Sequence, residues 1–228
     1  MSAFNLGVFI LCALALIEEG SKVKVVIIFT AIYGFATFFM VFFTFLTTIK
    51  DPTDPTVKLE RSFNADLPAG KDFIKNNYNF YCDLCDTHVL ANTKHCRTCN
   101  RCTAGFDHHC QWVNNDIGSA NYLHFILSLV FLLCVLVIQI ATIGLSLFQR
   151  RRVKREEILL TRRAVAVVLW VNLVEVVFFF MQALFLILFH AYLKLLNMTT
   201  FEHIRKKQNR STESRNIKRV QHEETTTE

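Results

Sequence analysis

Residues 82–110 read CDLCDTHVLANTKHCRTCNRCTAGFDHHC and hold six of the chain's eight cysteines, namely Cys82, Cys85, Cys96, Cys99, Cys102 and Cys110. Cys82-x2-Cys85 is followed, nine residues later, by His95-Cys96-x2-Cys99-x2-Cys102, and then by Asp107-His108-His109-Cys110. Zinc takes four thiolate, imidazole or carboxylate donors, and a CxxC turn presents two sulfurs from one bend. Three CxxC pairs with several histidines inside 29 residues therefore point to bound metal. The competing reading is a disulfide framework, which needs an oxidising compartment. Twelve donors are at hand: the six cysteines with His88, His95, His108, His109, Asp107 and Asp116. Two ions need eight. Spacing leaves open which donors stay off the metal, and on this count Cys110 is either a ligand or a nucleophile.

Working outward, the cysteines lie in a polar segment, Lys50 to Asn121, bracketed by long apolar runs. The 228 residues are 52% apolar, with 22 Phe, and the apolar residues are gathered in four runs: Phe4 to Ile17, Val25 to Ile49, Tyr122 to Phe148 and Val165 to Phe189. The last three exceed the roughly 20 residues that cross a hydrocarbon core. The first is short. It lacks the basic start and the small-residue cleavage site of a signal peptide, and reads as a short or truncated first span. No internal repeat and no low-complexity linker is evident.

These runs predict an all-α membrane protein of four transmembrane helices, with a small zinc-bound cysteine-rich domain on the cytosolic side between spans two and three. Residues 1–49 carry spans one and two, 50–121 the cysteine-rich domain, 122–189 spans three and four, and 190–228 a C-terminal tail. Four spans put residues 50–121 and the tail on the same side. Each of those regions holds eight Lys and Arg, against two after span one and seven after span three, so the positive-inside rule favours a cytosolic cysteine segment and tail. Arg150, Arg151, Arg152, Lys154, Arg155, Arg162 and Arg163, the basic run after span three, dissent from that count. Reduced thiols, which a cytosolic CxxC keeps, favour metal over disulfides.

Within the spans, Glu175 is a costly intramembrane carboxyl. Asn172 and Gln182 project to its face, and span three offers Gln139, Thr142 and Ser146. Such groups read first as an interhelical hydrogen-bond cluster, with a lining of an acyl cavity as the alternative. Cys12 and Cys134 read as small apolar fillers, and Phe35, Phe38, Phe39, Phe42 and Phe43 as lipid contact and packing. Arg205, Lys206, Lys207 and Arg210 either attract anionic lipid or phosphate, or belong to a solvated tail. Trp112 reads as part of the domain's small core rather than as an interface anchor. The net charge of +6 invites nucleic acid, but the segment is flanked by spans and lacks a recognition helix with clustered Arg and Lys, so no nucleic-acid partner is expected.

Asp107-His108-His109-Cys110-Gln111-Trp112-Val113-Asn114-Asn115, followed by Ile117-Gly118 and Asn121-Tyr122-Leu123-His124-Phe125, resembles the cysteine-rich domain of DHHC-type protein S-acyltransferases. Asp51-Pro52 after span two resembles that family's short Asp-Pro motif, and Thr199-Thr200-Phe201-Glu202 after span four resembles its TTxE motif. The resemblance covers nearly the whole chain. It implies one structural zinc on Cys82, Cys85, His95 and Cys102, and a second on Cys96, Cys99, His109 and the residue at position 116. It leaves Cys110 free as nucleophile, with His108 as base and Asp107 as its orienting partner. Two departures stand out. Position 116 is usually Cys and here is Asp116, a harder donor that binds zinc at a comparable distance. The stretch after Cys85 also lacks the basic residue, Pro and Arg that the family often carries there.

The resemblance implies a protein S-acyltransferase that moves a fatty (palmitoyl) group from acyl-CoA, through an acyl-Cys110 thioester, to cysteines of membrane-associated proteins. The alternative is a weak or inactive adaptor of the same fold. Cys110 lies 12 residues before span three begins, which puts it at the cytosolic membrane surface and makes juxtamembrane cysteines the reachable targets. The expected setting is an endomembrane, ER or Golgi, with the site facing the cytosol and acyl-CoA and the bilayer as partners.

Overall fold

The computed structural model describes residues 3–18, 23–62, 80–152 and 159–226. Lys154 and Arg155 of the basic run, and residues 63–79 of the expected cysteine-rich segment, lie outside the described residues. The protein is mostly helical: α1 is Ala3–Glu18, α2 Val23–Ile49, α3 Pro55–Ser62, α4 Tyr122–Arg152, α5 Leu159–Leu195 and α6 Thr200–Thr226. Three helical stretches are long and apolar enough to cross a membrane, Val26–Ile49, Tyr122–Phe148 and Arg163–Leu195, and the chain is a membrane protein. Helix α1, at 16 residues, is shorter than such a stretch. Helix α5 runs several residues past both ends of the expected fourth span.

The residues fall into two compact units, Met1–Thr44 with His124–Leu188 and Phe45–Leu123 with Phe189–Glu228. In the first, Val8 and Cys12 pack with Leu136, Ile143, Leu169, Val176 and Ala183. Phe35, Phe39 and Phe43 make ring contacts with Phe131. A polar knot joins α1, α4 and α5: the Asn5 amide donates to Glu175 Oε1 at 3.4 Å, the Asn172 amide to Asn5 Oδ1, and the Gln139 amide to Asn172 Oδ1 at 3.3 Å. Glu175 thus joins an interhelical hydrogen-bond cluster. Gln182 is exposed, and Thr142 and Ser146 donate to carbonyls of their own helix.

The second unit holds six short strands that an all-α reading does not contain. They pair as three antiparallel hairpins: β1 Phe80–Cys82 with β2 Thr87–Val89, β3 Lys94–Cys96 with β4 Arg101–Thr103, and β5 His108–Cys110 with β6 Asn115–Ile117. Each starts 14 residues after the one before. Each turn closes on a left-handed residue, Asp86, Asn100 or Asn114, with φ of 51°, 47° and 46°. Asn and Asp tolerate that conformation at least cost among residues with a Cβ. The expectation of no internal repeat therefore fails. A 14-residue unit occurs three times, and its strands are too short to carry an alternating apolar pattern.

Short polar devices fix the rest. Asp54 caps α3 through the Thr56 N–H at 2.7 Å, with Pro55 in the first helical position where its missing N–H costs nothing. Its Oδ2 also accepts the Leu90 N–H at 3.1 Å and the Thr93 hydroxyl. The Asn115 amide donates to the Thr47 and Lys50 carbonyls at 2.9 and 3.0 Å, satisfying groups that the end of α2 leaves open. At Gly105 (φ 57°) a Cβ would strain the backbone and fall 2.0 Å from Ser119 Oγ, so a side chain there would have to displace that hydroxyl.

Candidate active site and metal centres

Strand ends and turns bring eight of the twelve candidate donors into two groups. In the first, the β1–β2 turn supplies Cys82 and Cys85, and the second hairpin supplies His95 and Cys102. His95 Nδ1 lies 3.3 Å from Cys85 Sγ and 3.8 Å from both Cys82 and Cys102, and the Cys85 and Cys102 sulfurs are 3.4 Å apart. In the second, the β3–β4 turn supplies Cys96 and Cys99, and the third hairpin supplies His109 and Asp116. His109 Nδ1 lies 3.4 Å from Cys99 Sγ, 3.9 Å from Cys96 Sγ and 2.9 Å from Asp116 Oδ1, which is 3.2 Å from Cys99 Sγ. Each set of four donors lies within 4.8 Å of one another, a spacing and donor chemistry that fit one tetrahedral metal ion. Cys99 and Cys102 belong to different groups, so the third CxxC pair is not a chelating pair. His88 lies outside both, its ring packed against Tyr81.

Asp116 is fully buried, and its two oxygens do different things. Oδ1 faces His109 and Cys99. Oδ2 accepts the Thr103 hydroxyl at 3.0 Å and lies 3.4 Å from Arg101 Nε. Arg101 also reaches Asp51 Oδ1 at 3.3 Å and the side-chain oxygen of Asn115. Burial favours the neutral acid, but hydrogen bonds from Cys96, His109, Cys99 and Thr103 outweigh it and hold Asp116 below the usual carboxylate range. Nothing in the sequence marks Arg101 or Thr103 as partners of this carboxylate. Asp51 accepts the Thr53 N–H at 3.0 Å and pairs with Lys58 at 2.9 Å, while the Ala104 N–H donates to the Pro52 carbonyl at 3.3 Å. The Asp-Pro motif thus runs along β4.

Five of the six cysteines fall in these groups, and Cys110 is the sixth. Its sulfur is buried against His108. His108 Nδ1 is 2.7 Å from Asp107 Oδ2, and Asp107 is itself buried. The Thr200 N–H donates to Asp107 Oδ1 at 2.9 Å, and the Phe201 N–H to the Asp107 carbonyl at 3.1 Å. Burial would favour neutral His108, but the bonds to Asp107 and Cys110 prevail and raise it to about 9. Burial would likewise push the Cys110 thiol up. The bond to His108 and the backbone N–H groups of Val113 and Trp112 outweigh that and lower it, so Cys110 ionises more readily than a free thiol.

The TTxE stretch reaches this site as a helix start. The Thr199 hydroxyl accepts the Glu202 N–H at 3.2 Å, and Glu202 Oε2 accepts the Thr199 N–H at 2.9 Å. This reciprocal capping box aims the N-terminus of α6 at the Asp107 carboxylate, where a helix end favours negative charge. His190 of α5 was missed by sequence reasoning because it falls one residue past the expected fourth span, which ends at Phe189, whereas α5 continues to Leu195. Its ring lies 6.0 Å from that of His108, and its Nδ1 is 3.2 Å from the Tyr122 hydroxyl. A histidine within a span is a polar group at a cost, which is the signal that could have found it. Trp112 is 93% exposed at the tip of the third hairpin, so the expectation of a core position is wrong. Two residues past Cys110, its side chain points off the turn. Lys206, Lys207 and Arg210 line a groove with His203, Ser211 and Ser214 along one side of α6.

Fold and site together define a membrane protein with a cysteine-rich hairpin domain, two four-donor groups that fit a metal ion and a buried Asp–His–Cys line. A family model for DHHC palmitoyltransferases matches residues 75–207, and the chain belongs to that family. Among its relatives, "Probable protein S-acyltransferase 2" of Arabidopsis thaliana is 34% identical over 62% of this chain and 34% of its own length. "Protein S-acyltransferase 8" of the same plant is 29% identical over 79% of this chain and 48% of its own. "Palmitoyltransferase ZDHHC4" of Mus musculus is 43% identical over 41% of this chain and 26% of its own. The chain thus spans between a quarter and a half of the length of these relatives.

Proposed function

We propose that this chain is a protein S-acyltransferase that carries a palmitoyl or similar fatty acyl group on Cys110. The observation that supports it most is Cys110 itself, the one cysteine of the hairpin segment outside both four-donor groups and the one hydrogen-bonded to an Asp-backed histidine. The Cys110 thiolate attacks the thioester carbonyl of acyl-CoA. The bond to the CoA sulfur breaks, and the departing thiolate takes the proton from His108. An incoming protein thiol then attacks acyl-Cys110, His108 accepts its proton, and Cys110 leaves as thiolate. Asp107 keeps His108 oriented with Nε2 toward sulfur through both steps, following the logic by which a carboxylate fixes the tautomer of a catalytic imidazole. A thioester exchanged for a thioester keeps each step near thermoneutral.

Two structural zinc ions would sit on Cys82, Cys85, His95 and Cys102, and on Cys96, Cys99, His109 and Asp116. When bound, each cross-links neighbouring hairpins. With four protein donors in each set, no position is left open for substrate. Helix α1 is read as a fourth span. The Lys and Arg count and the reduced thiols favour residues 50–121 and the tail on the cytosolic face of an endomembrane such as the ER or Golgi, within reach of juxtamembrane cysteines on partner proteins. Incubation of the purified protein with labelled palmitoyl-CoA tests the reading. Wild type is expected to acquire a hydroxylamine-labile label and Cys110→Ser none. Equal labelling of both would refute it, and no labelling of either would favour the adaptor reading.

A further inference from the structure

The 14-residue repeat aligns Cys82, Cys96 and Cys110, and it aligns Cys85 and Cys99 with Val113. His95 and His109 align with Leu123, and Cys102 and Asp116 with Val130. The first two rows hold four metal donors each, whereas the third holds Cys110 alone. Yet the third turn is built like the others. The leading cysteine ends the first strand in the same register each time, Cys82 opposite Thr87, Cys96 opposite Arg101 and Cys110 opposite Asn115. A left-handed residue closes each turn.

We infer that the third hairpin is a metal-type cysteine turn freed for chemistry, and that Val113, where the turn's second sulfur is lost, is the one of the three lost donor places that removes the chelating pair and keeps Cys110 free. Two sulfurs from one turn chelate, whereas one sulfur with no second donor competes poorly for zinc. The turn still holds Cys110 in the register and backbone conformation that bring Cys82 and Cys96 into their donor groups. The nucleophile thus inherits the placement of a ligand without the ion. Val113 is therefore a positioning residue that acts through Cys110. The inference rests on the proposed reading, in which Cys110 is the nucleophile and no ligand.

The test restores the missing donor. Val113→Cys places a second sulfur where Cys85 and Cys99 stand, and cysteine behaves as a small apolar side chain that this buried position accepts. The full chain, purified in detergent under reducing conditions, is equilibrated with excess zinc, freed of unbound ions and analysed for metal. Val113→Cys is expected to hold three ions per chain, and wild type, Val113→Ser and the double variant Val113→Cys/Cys110→Ser to hold two. Zinc should slow alkylation of Cys110 in Val113→Cys by about tenfold or more, since the free thiolate is the reactive form, and leave it unchanged in wild type. Two ions in Val113→Cys with unslowed alkylation would overturn the inference. Loss of an ion in Cys110→Ser alone would instead strike the underlying reading, so the two failures are distinguishable.

Discussion

Asp107 acts on Cys110 from three residues away, because its carboxylate raises the His108 imidazole beside the sulfur. Replacing it by asparagine keeps the shape and removes the charge. The sign follows from the shifts. Asp107 raises His108, so its loss lowers His108. The Cys110 thiolate then loses its imidazolium partner and its pKa rises. Asp107→Asn is therefore expected to move the pH profile of Cys110 alkylation to higher pH. An unmoved profile would mean that Asp107 serves only to hold the loop. Asp116 makes a second demand on single atoms, since Thr103 and Arg101 occupy Oδ2 and leave Oδ1 facing His109 and Cys99, where the proposed ion would sit. Outer partners of a ligand typically change metal affinity by about 10–100-fold. Thr103→Val should weaken one of two bound zinc ions by about that factor in chelator competition and leave the other unchanged. Unchanged release of both would show that the hydroxyl is incidental.

At the scale of elements, the TTxE stretch is a helix cap whose product is an aimed helix end. Glu202 contacts neither Asp107 nor Cys110 directly. It holds Thr199, which sets the first turn of α6 and with it the Thr200 and Phe201 N–H groups on Asp107. Removing a cap costs about 1 kcal/mol. If all of that cost fell on the ordered site, Glu202→Ala would lower the acylation rate about fivefold, with metal content unchanged. Loss of an ion together with activity would show that α6 braces the metal sites instead. The element scale is also where sequence reading fell short. The long spans were legible because about 20 apolar residues in a row leave few alternatives. The hairpins were not. Their three-residue strands carry no periodicity, and the repeat that orders them is broken at Val113, the place where a third cysteine pair would have announced it. Cys99 and Cys102 looked like a pair for the same reason, since spacing in the chain says nothing about which strand end each occupies.

Over the whole molecule, the metal groups run as a chain. The first joins hairpins one and two, and the second joins hairpins two and three. The hairpin that carries Cys110 is therefore fixed from one side by His109 and Asp116. From the other it is fixed by the Asn115 and Asn121 amides on the Thr47 carbonyl at the end of α2. Which donors meet was foreseeable only through resemblance, because twelve candidates for eight places cannot be sorted by spacing. His190, Arg101 and Thr103 became visible only when strands and helices brought them beside residues already suspected. On the proposed reading metal ligation frames the nucleophile without consuming it, and native mass spectrometry of the chain after exposure to palmitoyl-CoA reads both halves of that statement at once. The expected species is one chain carrying two zinc ions and one acyl group, with Cys110→Ser carrying two zinc ions and no acyl group. An acylated chain holding a single zinc, or a Cys110→Ser chain that has lost one, would contradict it.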